Sequence, residues 1–575
     1  MAQAGLCPAQ QDYGLTEWAF PWLCNFMREH RLWATLHPFF EGGGIMGRSV
    51  ANEGFITALI RNAPYDGFHF FLAGEGQVQT VTEKLAALFP EKTRAGVFRV
   101  TTRHALPEAV AENSYEVFHL SDCVADNAAL QRLRNGLSRN IFAVTGTTHS
   151  LSYARYPSYF LEQIWPGTTE RDAIIATSTA GAAAMRAMFA SLREGYSLPD
   201  SFLAPKIAHI PLGVDIDDFA SPEEKPALRA TVRQRLGIAP DSCMLLVFAR
   251  VSHYSKMDIL PLFRALVRAE AMGLAKGSYT LVLAGWMDSG DAAAAAYTDI
   301  AARLGVTFLL VPSPDNAVRK ELFAAADIFL SPVDNPQETF GLTMLEAGAA
   351  SLPVIASDFD GYRDLVTHGE TGFLAPTLGP ADTTETDILS GVWFDNQHHL
   401  QLAQQSVVSV PHLADCIARL TQDAALRERF GNAARERVLT RYTWDGVAKA
   451  HVALWDELTA MPLSAPVTGP PASHPARPAY GTVFGGYYTK LLDSGMRVRW
   501  TQFGEAVYRG LDFPAVYAGV ERLVPREELR KMLFSARKPV AVSAFLPEKT
   551  PSPEGERAAF LVLWALKHDL LEESP

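Results

Sequence analysis

The chain is 575 residues long, with 51 Lys and Arg against 63 Asp and Glu and a net charge of −12. That length exceeds what one hydrophobic core supports and predicts two or three domains. The acidic balance argues against nucleic acid as the main partner, because phosphate binding needs a basic surface. Hydrophobic residues make up 48% and charged residues 20%, an ordinary globular balance. Cys7, Cys24, Cys123, Cys243 and Cys416 are scattered and show no metal-ligand spacing, which suits a reducing compartment. No signal-peptide pattern opens the chain and no apolar run is long enough to span a bilayer. The expectation is a cytoplasmic protein with no transmembrane span, peripheral membrane contact staying open.

Residues 18–30 hold an aromatic helix candidate. Apolar runs then alternate with helical patterns. The strand-like runs are 32–37, 68–73, 97–101, 115–120, 141–145, 173–177 and 207–210, with an Ala- and Met-rich helix over 179–194. The same grammar restarts near residue 215, with strands at 244–249, 279–284, 306–311, 328–331, 354–357 and 373–375. Helical patterns follow at 412–422, 424–441 and 443–458. This alternation predicts two tandem Rossmann-like α/β domains, 1–215 and 216–458, facing a central cleft. Residues 459–479 are Pro-rich and read as a semi-rigid linker. Residues 480–575 read as a mostly helical extension of unknown role, ending in a helix over 558–573. An oligomer formed through this extension stays open.

The stretch Glu338-Thr-Phe-Gly-Leu-Thr-Met-Leu-Glu346 places two carboxylates eight residues apart across a Phe-Gly pair. It lies between two apolar runs, so the acids fall at a strand-to-helix junction on the carboxyl edge of a parallel sheet, where open α/β sheets bind ligands. The bland alternative is a helix-dipole acid followed by a surface Glu. Other segments with chemistry-bearing residues follow strand-like runs or lie in loops. Gly42, Gly44 and Gly47 satisfy G-x-G-x-x-G, the dinucleotide fingerprint, with Glu75 in reach of a ribose role. From that half alone a nicotinamide enzyme stays open, as does a plain Gly-rich turn. His149 follows the strand at 141–145. Arg250 and Lys256 follow the strand at 244–249. The triplets Asp215-Ile-Asp217 and Asp358-Phe-Asp360 read as loop acids.

The Glu338–Glu346 pattern resembles the E-x7-E signature of retaining GT-B glycosyltransferases of family 4, over roughly 32–458. The resemblance implies that Glu338 and the amides of Thr339, Phe340, Gly341 and Leu342 hold hydroxyls of a donor sugar, and that Glu346 holds the ribose. It implies a Gly-rich loop at Gly43 and Gly44 against the donor diphosphate, and His149 near the reacting centre. Arg250 and Lys256 resemble the family's G-R-x…K-G cations, which neutralise the diphosphate. Ala249 and Met257 replace glycines of that pattern, and neither change removes a charge. The implied reaction moves a sugar from a nucleoside diphosphate sugar to an unidentified acceptor hydroxyl, with no metal and no other cofactor. The segment 207–219 resembles the family's interdomain hinge. The segment 389–405 resembles an insertion found in long members, without a chemical role. Two other readings stay open: a GT-B phosphorylase or sugar-nucleotide epimerase, and a non-catalytic nucleotide-binding scaffold.

Overall fold

The structure is a computed structural model describing residues 30–40, 47–221, 223–287, 292–393, 395–464, 474–517, 519–548 and 552–575. The helix expected over 18–30, the glycines Gly43 and Gly44 and much of the Pro-rich linker lie outside those residues.

Seven strands build the first sheet: β1 (Leu32–Thr35), β2 (Gly67–Leu72), β3 (Phe98–Thr102), β4 (Val117–Leu120), β5 (Ala143–Thr147), β6 (Ala173–Ala176) and β7 (Lys206–His209). Their order is β3-β2-β1-β4-β5-β6-β7, parallel throughout. Helices cover both faces, so the inner strands are buried on both sides; every residue of β4 and β6 is buried. The second sheet repeats the plan with β8 (Cys243–Phe248), β9 (Tyr279–Gly285), β10 (Phe308–Pro312), β11 (Ile328–Ser331), β12 (Val354–Ser357) and β13 (Gly372–Ala375). Its order is β10-β9-β8-β11-β12-β13, also parallel. This is the GT-B architecture. In each sheet the order reverses once, between β1 and β4 and between β8 and β11, and those switch points open crevices at the carboxyl ends of the strands.

The two sheets are joined twice. The chain leaves the first half through Ile210–Asp215 and returns at Tyr442–Trp444; the Val214 amide donates to the Tyr442 carbonyl over 2.8 Å. The helix Trp444–Ala460 follows the second sheet in the chain yet packs on the first. Trp444, Val447, Leu454, Trp455 and Leu458 join Trp33, Phe55 and Phe68 in one core. The boundary drawn at 458 therefore departs from the packing: the apolar face of this helix matches the first sheet's open flank, and Trp455 Nε1 donates to Thr145 Oγ1 of β5 over 3.1 Å. Thr443 caps the helix, accepting from the Gly446 amide.

The short strands β14 (Thr377–Leu378) and β15 (Val407–Val408) pair antiparallel and bracket the insertion. Between them lie the helices Thr384–Ser390 and Asp395–Gln404.

A second compact unit holds the described residues from 474 onward. It is helical, with Gln502–Arg509, Arg526–Ser535 and Pro553–Lys567, but it also contains a three-stranded antiparallel sheet. Arg497–Trp500 (β16) is central, flanked by Val540–Ala541 (β17) and Leu571–Glu573 (β18). The helix expected to run to 573 ends at Lys567, where Asp569 turns the chain at φ 56° into β18. Among the described residues, no helix is long and apolar enough to cross a membrane.

Candidate active site

The switch point of the second sheet brings the loops after β8 and β11 together. Lys256 comes from the first loop and Glu338 from the second, and the two side chains form an ion pair. Glu338 Oε1 faces the amides of Thr339 and Phe340 at 3.3 and 3.4 Å, and Oε2 accepts from the Tyr362 hydroxyl at 3.3 Å. Burial works against ionisation of Glu338, but the Lys256 charge and these donors outweigh it and hold its carboxyl below the usual range. Two neighbouring side chains tie the loops to each other. The Asn335 amide donates to the Tyr254 carbonyl over 3.0 Å, and Asp334 accepts from the Asp258 amide.

Gly341 precedes the helix Leu342–Ala349 at φ 100°, a conformation open to glycine, and a Cβ there would run into the Tyr362 ring. Glu346 sits one turn into this helix, buried and ion-paired to Arg319. Arg319 also approaches Asp218 at 3.5 Å, and Lys320 reaches the same carboxylate at 2.8 Å. Burial raises the Glu346 carboxyl to about 7, against the pull of Arg319. Its Oε2 is buried and makes no hydrogen bond. A buried carboxylate oxygen of this kind is an acceptor available to a hydroxyl donor.

Arg250 is exposed beyond β8, where its guanidinium donates to the Ser255 carbonyl over 3.1 Å. His149 follows β5 and is half-buried, its Nε2 2.8 Å from the Ser121 carbonyl oxygen. The next residue, Ser150, donates its hydroxyl to the Gln337 carbonyl over 2.8 Å, so the two halves meet one residue from Glu338. They meet again where the Thr179 amide donates to Asp364 over 2.6 Å. Glu75 stands exposed at the start of the helix Glu75–Leu88.

Several residues at this site carried no signal in the chain. Arg319 lies in a charged helical stretch that reads as solvated surface. Tyr362 is fully buried against Glu338. Asp360, taken with Asp358 as a loop acid, is held at φ 46° with its carboxyl raised to about 7 by burial and by Glu338. The repeated acid of the triplet gave no hint of this. Among the described residues, no group of three or more His, Cys, Asp or Glu is arranged to hold a metal ion.

Residues 244–386 match the family described as Glycosyl transferases group 1. That span runs from β8 through the helix bearing Glu346 and on past β13. The D-inositol 3-phosphate glycosyltransferase of Geodermatophilus obscurus is 33% identical over 175 residues, covering 30% of this chain and 37% of that protein. The protein of the same name from Streptomyces bingchenggensis is 28% identical over 254 residues, 44% of this chain and 48% of the relative. The chain thus spans about half or less of the length of these curated relatives. A crystal structure of a glycosyltransferase from Rickettsia africae is similar over 75% of this chain and 99% of that one, at 14% identity and a TM-score of 0.51. That likeness bears on the fold alone, and agrees with the matched segment forming one half of a two-sheet molecule.

Proposed function

We propose that the chain is a retaining, metal-independent glycosyltransferase of family 4, moving a sugar from a nucleoside diphosphate sugar to an acceptor hydroxyl. One observation carries the reading: the Lys256–Glu338 ion pair spans the switch point of the second sheet, with the buried Glu346–Arg319 pair one helical turn beyond. In this reading Lys256 and Arg250 take the diphosphate, whose negative charge grows as the anomeric C–O bond breaks. Glu338 and the amides of Thr339 to Leu342 then position the sugar's hydroxyls. Glu346 offers its unbonded oxygen to the ribose. His149, beside the Ser150–Gln337 contact, lies on the acceptor side.

Departure of the diphosphate leaves an oxocarbenium-like centre. Glu338 is held ionised by Lys256, which suits a positioning acceptor. Retention then arises by attack of the acceptor hydroxyl on the face the diphosphate leaves, its proton passing to the departing phosphate oxygen. The test is release of nucleoside diphosphate from a panel of UDP-, GDP-, ADP- and dTDP-sugars in the presence of a chelator. Release from one donor supports the reading and names the base. Tight binding of a free nucleotide without turnover of any donor, with or without added acceptors, favours the scaffold reading.

A further inference from the structure

The insertion bracketed by β14 and β15 reaches the mouth of the site through His399, with Asn396 of the same helix at longer range. His399, on the helix Asp395–Gln404, is fully buried. Its Nδ1 faces the Gln337 side-chain amide nitrogen at 2.7 Å, and its Nε2 faces Ser152 Oγ at 2.9 Å and the Ser152 carbonyl at 3.1 Å. An amide nitrogen only donates, so Nδ1 accepts, and the ring is neutral with its proton on Nε2, directed at Ser152. The Tyr153 ring packs edge-on against the imidazole at 5.2 Å between centroids.

Gln337 directly precedes Glu338, and it is held from three sides. Its backbone N–H donates to Asn335 Oδ1 over 3.0 Å, its carbonyl accepts from Ser150, and its side chain donates to His399 at 2.7 Å, with Asn396 Oδ1 a longer acceptor at 3.5 Å. Ser150 belongs to the first half. His399 belongs to the insertion and rests on Ser152 of the first half. The β14–β15 pair ties the two ends of the insertion to each other, and Thr377 Oγ1 donates to the Asp358 carbonyl over 2.8 Å.

We propose that His399 is a positioning residue: the inserted helix straps the Ser150–Tyr153 loop to the Glu338 loop, and His399 sets where Glu338 stands. His399 touches no reacting atom in this account; it acts through Gln337. As a consequence for activity, the strap rests on the glycosyltransferase reading; as a statement about loop order, it does not.

The test separates the two ring nitrogens. In the full-length protein, His399→Asn keeps an acceptor at the Nδ1 position, facing Gln337. His399→Gln keeps a donor at the Nε2 position, facing Ser152, and loses the acceptor. Amide hydrogen exchange is read over 333–342 without donor, and kcat and donor KM are read where a donor is known. In His399→Gln and His399→Ala, exchange over 333–342 should quicken roughly fivefold to tenfold, the scale of one lost buried hydrogen bond. The kcat should fall by a comparable factor with little change in KM. His399→Asn should restore both. Wild-type exchange over 333–342 in both His399→Ala and His399→Gln would overturn the strap. So would equal loss in Asn and Gln variants, which marks His399 as core packing only. If exchange responds as stated while the wild type turns over no donor, with or without added acceptors, the strap stands and the glycosyltransferase reading fails.

Discussion

At the scale of single residues, the site is a set of charges placed by a sheet edge. Lys256 and Glu338 neutralise each other across the switch point. Removing the lysine should leave Glu338 buried without its counter-charge and strip the diphosphate of a donor. Lys256→Ala should therefore weaken binding of a free nucleoside diphosphate by roughly tenfold or more, the scale of a lost charge-assisted contact; calorimetry showing unchanged affinity would remove Lys256 from the site. Gly341 makes a different demand, on backbone shape. Gly341→Ala puts a Cβ against Tyr362 in a left-handed conformation. It should cost roughly 2–4 kcal/mol of stability by chemical denaturation and lower nucleotide-dependent activity further, because Tyr362 is itself a donor to Glu338. The two acids and the glycine between them were legible as a motif. Arg319, Tyr362 and Asp360 were not, because each becomes special only through a neighbour distant in the chain.

At the scale of elements, the helix Trp444–Ala460 locks the first half. It lays His451 against His119 under Trp455, with ring centroids 5.4 Å apart. Burial holds His451 down to about 4 and His119 well below its usual value. In the unfolded chain both take a proton near pH 6.5. Between about pH 6.5 and 4 the unfolded state thus binds more protons, and stability falls as pH falls; above 6.5 the contribution is whole. For His451 alone the loss reaches roughly 3 kcal/mol at the acid end, at about 1.4 kcal/mol per unit of depression. His451→Phe keeps an aromatic ring there and should flatten the fall of the thermal midpoint between pH 6.5 and 5. Parallel slopes for variant and wild type would contradict this. The helix itself was legible from its periodicity. Its partner was not, since an apolar face states that it is buried and not against which sheet.

At the scale of the molecule, all thirteen parallel strands among the described residues overlap apolar-rich runs visible in the chain, because strands covered on both faces are mostly apolar. The same logic explains what escaped. β16 alternates exposed and buried residues, and β18 reads Leu-Glu-Glu, so neither stands out from the helical segments around it. The insertion's contact with Gln337 escaped for another reason: it links residues 62 positions apart through a ring nitrogen, with no spacing rule to betray it. In the proposed function Glu338 positions a donor sugar while the cations hold its diphosphate. The most direct measurement is Glu338→Ala, comparing turnover of the donor with affinity for the free nucleoside diphosphate. The kcat should fall roughly a hundredfold or more, the scale of a lost group that acts in the transition state, with nucleotide affinity within a few-fold of wild type. A variant that turns over the donor at the wild-type rate would contradict it.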